Sequence, residues 1–429
     1  MRRKVAGWGQ KLFSTVCLLN GNDMSPEKYS SYNQIFALGV AEECFGDETL
    51  AFSCLREFSD RYDDWLFGFL TYDLKNQLER LTSSHFDGIG MPLMHFFRPR
   101  IVIFQQADEW VIGCLPGYGH LSDPEVVFSE IVSFPHDGSQ KGSGAVPAIQ
   151  ARVSRSQYLE AVSAIKTHIQ QGDIYEMNYC MEFFAEGACI DPPELYENLI
   201  RQSPTPFSCY YSINGKSLLC ASPERFLRKQ GDTIISQPIK GTIARGTNPD
   251  DDARQAGMLR NDPKERSENV MIVDLVRNDL ARTAKKGSVR VEELFGIYAF
   301  RQVHQMISTI ASELRPDCHF TEVIRQAFPM GSMTGAPKIR AMQLIEQYER
   351  TKRGLYSGAV GYISPGKDFD FNVVIRSILY NRENRYLGFM AGSAITAGSI
   401  PEKEYEECLL KAQAMIGALN SGHQGAGGL

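Results

Sequence analysis

The spacing of apolar residues changes along the chain, and the change marks out its elements. In residues 155–171, Tyr158, Val162, Ile165 and Ile169 recur at intervals of four, three and four, the period of one helix face, and Gly172-Asp173 ends the run. Short apolar runs bounded by turn residues predict strands at 100–104, 109–114, 174–184, 289–296 and 303–314. Residues 207–220 form a predicted hairpin with Asn214-Gly215 at its turn, and 226–237 form another that turns at Gln230-Gly-Asp232. Runs at 358–363, 370–380 and 386–395 predict three antiparallel strands. Helices are predicted at 194–202, 250–258, 262–282, 321–327 and 338–349, with a last one to about 419 opened by a capping box at Ser399-Ile-Pro-Glu402. Asp262-Pro-Lys-Glu265 places Asp at the N-cap and Pro at the first helical position. The aromatic run 63–74 turns helical to 81, residues 32–44 fit a helix or a strand, and 1–30 show little regular pattern.

Antiparallel-type strands interspersed with helices, without a βαβ period or an internal repeat, predict an α+β fold. Residues 136–144 have the composition of a linker, so the expected boundary lies near 150. The expected organisation is an amino-terminal region 1–150, a second domain 151–420 and a disordered tail 421–429.

Composition narrows the class. The chain has 429 residues, 43% hydrophobic and 22% charged, with a net charge of −6. That balance suits a globular protein with a large core and gives no basic surface for nucleic acid. No apolar run approaches the ~18 residues of a membrane span. The ten cysteines lack CxxC pairs, and Cys17, Cys180, Cys209 and Cys220 sit in apolar settings. Buried thiols in a reducing cytoplasm are expected rather than disulfides or zinc. The N-terminus, with Met1-Arg-Arg-Lys4 before a short apolar run and no small-residue cleavage site, is expected to begin the mature protein.

Candidate chemistry lies beyond residue 230. Lys240 stands between Ile239 and Gly241-Thr242, where glycine lets backbone approach a ligand and threonine offers an amide and a hydroxyl. Glu265 and Glu268 share a face in the first turns of one predicted helix, and Glu404 and Glu407 do so in another, with Lys411 four residues beyond. Each pair alone suits a solvated helix start; together they suit an oxygen-only site for Mg²⁺, with one direct ligand from each helix. Arg376, among apolar neighbours, needs an anionic partner, and Gly392 could bring backbone to the same ligand. Gly331-Ser-Met-Thr-Gly-Ala-Pro-Lys338 suits either an anion cradle or a structural turn.

From about 155 to 415 the chain resembles the chorismate-utilising enzymes: anthranilate synthase component I, aminodeoxychorismate synthase component I, and isochorismate and salicylate synthases. The motifs that carry the resemblance are residues 262–279, the 331–340 loop and helix start, Tyr356-Ser-Gly-Ala-Val-Gly-Tyr362 and Glu404-Tyr-Glu-Glu-Cys-Leu-Leu-Lys411. Before 150 only residues 65–81 share it. The resemblance implies large, mostly antiparallel sheets in a β-sandwich-like core with helices packed outside. It implies Mg²⁺ on Glu268 and Glu407, with Glu265 and Glu404 as acidic neighbours. It implies that Gly241, Thr242, Tyr356, Arg376, Gly392 and Lys411 hold the carboxylates of chorismate.

Within the family, Pro238-Ile-Lys-Gly-Thr242 resembles the aminodeoxychorismate synthases, since anthranilate and isochorismate synthases have alanine in place of Lys240. The resemblance therefore implies a lysine nucleophile, ammonia delivered by a separate glutamine amidotransferase subunit, and a product on the route to para-aminobenzoate and folate. Such a lysine is expected to have a lowered pKa through burial and nearby Mg²⁺. Two positions depart from the pattern. Glu176 stands where aminating relatives have glutamine and water-adding ones a lysine, and Gln305 stands where a histidine is expected, with His304 one place earlier. The acid that helps the hydroxyl leave is therefore open, as are anthranilate synthesis and chorismate binding without turnover.

Overall fold

The structure, a computed structural model, describes residues 1–22, 28–46, 49–106, 109–135, 146–301 and 303–421. The predicted linker and the tail beyond 421 lie outside the described residues. Two runs of antiparallel strands share one seam. In the first, Gln34–Phe45 pairs with Thr15–Asn20, and pairing continues through Phe207–Ile213, Lys216–Ser222, Ser377–Asn381 and Tyr386–Thr396 to Glu176–Ala185. In the second, Met94–Gln106, also paired with Gln34–Phe45, leads through Leu66–Leu70, Ala359–Ile363, Phe369–Asn372 and Arg225–Gln230 to Thr233–Gln237. Val303–Glu313 follows and also carries Ile239–Ala244 and Arg290–Ala299.

Side-chain alternation distributes each strand between two cores. Cys17, Ala37, Phe67, Cys209, Leu218 and Val360 belong to one cluster that draws on both sheets. Their neighbours Val16, Leu18, Phe36 and Leu219 pack with the helices Arg155–Gln170, Pro192–Gln202 and Pro401–Ser421. Leu66, Leu70, Ala359 and Ile363 pack with the helices Ala51–Arg61, Pro263–Ala281 and Phe320–Ala327. This is the expected β-sandwich-like α+β core with helices outside. Strands on both sides of residue 150 pair directly: Thr15–Asn20 with Phe207–Ile213, and Leu66–Leu70 with Ala359–Ile363. No helix of the described residues is long and apolar enough to cross a membrane. All ten cysteines are free, and Cys17, Cys180, Cys209 and Cys220 are buried.

Several local expectations change. Residues 1–30 are not patternless: the helix Arg2–Leu12 buries Val5, Ala6, Trp8 and Gly9, and the strand Thr15–Asn20 follows it. Glycine counts against a helix by propensity, but Gly9 is buried, and a Cβ there would sit 2.8 Å from Leu38 Cδ2, so the small residue suits the close packing. The ambiguous 32–44 is the strand Gln34–Phe45. Ser399 does not form the predicted capping box; its hydroxyl accepts from Thr396 N and donates to Ala394 O, closing the turn ahead of the last helix. Residues 370–380 are not one strand. Phe369–Asn372 lies in the second run and Ser377–Asn381 in the first, so the chain crosses between them, with Arg376 at φ +50°. The Asn214-Gly215 turn is as expected, with both residues at positive φ.

Candidate active site

The site begins with a strand that slips. Thr233–Gln237 and Ile239–Ala244 pair in succession with Val303–Glu313, and the register shifts between Ile239 and Thr242. Gly241, at φ +93°, accommodates the shift. The irregularity sits at Lys240, which is 9% exposed and whose ammonium is bound by the Glu176 carboxylate. Glu176 is the first residue of its strand, flanked by Thr396 on one side and Ala336 on the other. It is 1% exposed, and its second oxygen, Oε2, is buried without a partner.

Two further carboxylates face this lysine. Glu224, in the turn between Lys216–Ser222 and Arg225–Gln230, is pushed up to about 7 by burial, against the opposing pull of Ser332, Lys240, the Ile239 amide and Arg376. Glu268, in the helix Pro263–Ala281, is pushed up to about 7 by burial and by Glu176, with Lys240 opposing. The protein's own side chains do not lower the lysine pKa, as burial by itself would. Burial does pull Lys240 down, but Glu176, Glu268 and Glu224 outweigh it and raise it above the ordinary lysine value. Sequence reasoning passed over Glu224; its signal was Ser222-Pro-Glu-Arg225, two adjacent charges between apolar strands.

Arg376 lies at the crossover, its carbonyl accepting from Ala221 N. Burial lowers its pKa, with Glu224 opposing, and among the described residues its guanidinium has no hydrogen bond or ion pair. Glu224 supplies a nearby negative charge without an ion pair, so among the described residues the guanidinium has no direct anionic partner. Gly392 pairs with Cys180 inside Tyr386–Thr396, where a Cβ would stand 2.5 Å from Cys180 Sγ. Tyr356, 5% exposed, has its hydroxyl 3.7 Å from the same sulfur. Lys411 donates to Gly392 O at 2.9 Å and to Glu407 Oε1 at 2.8 Å. Thr242 is exposed and lies opposite Gln305, which is buried with Oε1 unpartnered. His304 bonds Asp252 in the helix Pro249–Asn261 at 2.8 Å, so it does not stand in for the residue at 305. The Gly331–Lys338 loop makes the contacts of a structural turn. Lys338 is held by Asp279 at 2.6 Å and by Ala327 O, and Gly335–Ala336 pairs with the strand of Glu176.

The two acidic pairs converge. Lys264 is raised because Glu268, Glu404, Glu265 and Glu407 together outweigh the opposing effect of burial, and Glu265 also senses Glu407. A Cβ on Gly241 would stand 3.1 Å from Glu265 Oε2. Glu268 Oε1 is buried without a hydrogen-bond partner, its closest cation being Lys264 at 3.8 Å. Among the described residues no three His, Cys, Asp or Glu side chains form a ready-made metal cluster. An orphaned carboxylate oxygen and an all-oxygen donor set without a protein cage fit Mg²⁺, which usually takes one or two carboxylates and completes its shell with water and substrate.

This constellation can be set against known proteins. The family described as "chorismate binding enzyme" matches residues 21–417. Aminodeoxychorismate synthase from Streptomyces pristinaespiralis is 42% identical over 284 residues, 66% of this chain and 39% of that protein. Aminodeoxychorismate synthase component 1 from Bacillus subtilis (strain 168) is 31% identical over 388 residues, 87% of this chain and 80% of that protein. Anthranilate synthase component I from Streptococcus pneumoniae TIGR4 superposes with a TM-score of 0.77 at 25% identity, covering 92% of this chain and 93% of the other. The chain spans 29% to 39% of the length of the curated relatives that match it at 40% to 42% identity. With the matched region taking in Lys240, both acidic pairs and Arg376, the chain belongs to the chorismate binding enzyme family.

Proposed function

We propose that this chain converts chorismate to 4-amino-4-deoxychorismate, with ammonia delivered by a glutamine amidotransferase subunit, on the route to para-aminobenzoate and folate, in the cytoplasm. The observation that carries the reading is Lys240 set among Glu176, Glu224 and Glu268, with Arg376 left for a substrate anion. Glu268 and Glu407 would hold Mg²⁺, with Glu265 and Glu404 beside them. Bound there, the ion would neutralise the ring carboxylate and favour addition to the diene. Arg376, Tyr356, Lys411, Thr242 and the backbone at Gly241 and Gly392 would orient the two carboxylates of chorismate. The Lys240 amine attacks C2; the double bond shifts and the C4–O bond breaks. Glu224, held near neutral pKa, supplies the proton on the departing hydroxyl in place of the histidine that Gln305 replaces. Ammonia then attacks C4, the double bond returns, and the C2–N bond to Lys240 breaks.

The test is mass spectrometry of the products from chorismate, Mg²⁺ and ammonium. A product that retains the pyruvyl group and gains one nitrogen supports the proposal. A second reading, ortho-amination, draws on the likeness to a solved anthranilate synthase component I; fluorescent anthranilate with released pyruvate would establish it instead.

A further inference from the structure

We propose that Glu176 is the proton acceptor that frees the Lys240 amine, so that the nucleophile is generated by transfer within a buried pair rather than by loss of a proton to solvent. The inference rests on the reading of Lys240 as nucleophile. Among the described residues Glu176 is the one carboxylate in direct contact with the Lys240 ammonium, and it is almost wholly withdrawn from water. Strand pairing to Ala336 and Thr396 on its two sides holds its backbone in place. Among the described residues Oε2 has no hydrogen-bond partner, so the carboxyl is free to hold a proton on that oxygen while Oε1 stays against the lysine. A carboxylate serving only as counter-ion would normally have both oxygens satisfied at such burial.

The step balances. A proton passes from Lys240 Nζ to Glu176, leaving a neutral amine and a carboxylic acid. The amine forms the C2–N bond as C4–O breaks, and Glu224 protonates the leaving hydroxyl to give water. Ammonia forms the C4–N bond and expels the Lys240 amine, which recovers its proton from Glu176. The new C4 ammonium returns one proton to Glu224. The sum is chorismate plus ammonia to aminodeoxychorismate plus water.

The other charges facing Lys240 are Glu265 and Glu268 from the Pro263–Ala281 helix, Glu224 from its turn and Glu407 from the last helix. They are common to the wild type and to Glu176→Gln. In Glu176→Gln the amine would then arise only by proton loss to solvent. The experiment follows formation of the Lys240–substrate adduct by rapid-quench mass spectrometry in the full chain, with chorismate and Mg²⁺ and without ammonium, from pH 6 to 9. Groups common to both proteins cancel in the ratio of the Glu176→Gln rate to the wild-type rate. That ratio is expected to rise about tenfold per pH unit while the chorismate Kd stays within about twofold. Glu176→Asp, which keeps the base, is expected to be slower at every pH with the wild-type pH dependence. A ratio for Glu176→Gln that does not change with pH overturns the proposal, because a merely structural glutamate would lower the rate without tilting the profile. If Glu176→Gln does not fold, Glu176→Asp decides: a profile tilted relative to wild type overturns the proposal. Absence of any adduct in the wild type, with full turnover in Lys240→Ala, overturns the nucleophile reading itself and is a different result from an adduct with an unchanged ratio.

Discussion

Lys240 shows how far one residue's chemistry depends on its neighbours. Burial alone would favour a neutral amine, yet three carboxylates hold it protonated, so its reactivity depends on where its proton goes. Lys240→Ala is expected to abolish the covalent adduct and para-amination, read by intact-protein and product mass spectrometry; full activity without an adduct would refute the role. Glu224→Gln is expected to slow adduct formation by about 10²–10⁴-fold, the usual range for a lost general acid. The sign of the pH dependence follows from Glu224's raised pKa. The proton it must donate is present below about 7 and lost above it, so the wild-type rate of adduct formation should fall as pH rises through that value. Its contribution to stability has the same direction, complete below the ordinary carboxylate range and lost as pH rises through about 7. Arg376→Ala removes a charge-assisted contact of ~1.5–3 kcal/mol and should raise the chorismate Kd by about 10- to 100-fold in calorimetry.

Among the elements, the helix Pro263–Ala281 is placed by its cap, where Asp262 accepts from Lys264 N at 2.9 Å and Glu265 N at 3.0 Å. That start sets Glu265 and Glu268 on the face that meets Lys240. The strand of Glu176, the Gly331–Lys338 loop and the helix Lys338–Tyr348 are tied at one buried ion pair. Arg353 donates to Glu349 at 2.6 and 2.9 Å, to Met333 O at 2.6 Å and to Asn178 O at 2.9 Å, and its guanidinium lies 4.7 Å from the Tyr72 ring centroid. Glu349 in turn accepts from Cys180 N at 2.9 Å. Arg353→Ala would strand the Glu349 carboxylate in the interior and should cost ~3–5 kcal/mol in urea unfolding. The double variant with Glu349→Ala should lose less than the sum of the two single changes. Equal additivity would show that the two side chains do not act as a unit.

At the scale of the whole molecule, the half beyond residue 150 is not self-contained. Phe207–Ile213 and Ala359–Ile363 each take a neighbour from before residue 150. A fragment of residues 151–429 would expose two unpaired strand edges together with the apolar side chains they bury. It is expected to aggregate or to show no cooperative thermal transition when expressed alone, and to recover solubility on co-expression with residues 1–150. A monomeric fragment that melts cooperatively would show that the boundary near 150 separates independent folding units.

The local signals were strong where one segment contained the whole cause. The Asn214-Gly215 turn, the Asp262 cap, the 155–171 periodicity and the i, i+3 acidic pairs each arise from residues a few places apart, so the sequence alone determined those elements and the family motifs. What depended on distant residues could not be read in this way. The helix at 2–12 buries Val5, Ala6, Trp8 and Gly9 against parts of the chain distant in sequence, and the run at 370–380 divides because its halves join different sheets. The upward push of the protein's own carboxylates on Lys240 was not legible because Glu176, Glu224 and Glu268 stand 64, 16 and 28 positions away in the chain. A charge's effect falls with distance through space, not along the sequence. The residues able to do chemistry were therefore visible in the sequence, while the tertiary structure alone decided which carboxylate touches the lysine, which carboxyls burial pushes upward and which guanidinium stands without a hydrogen bond among the described residues.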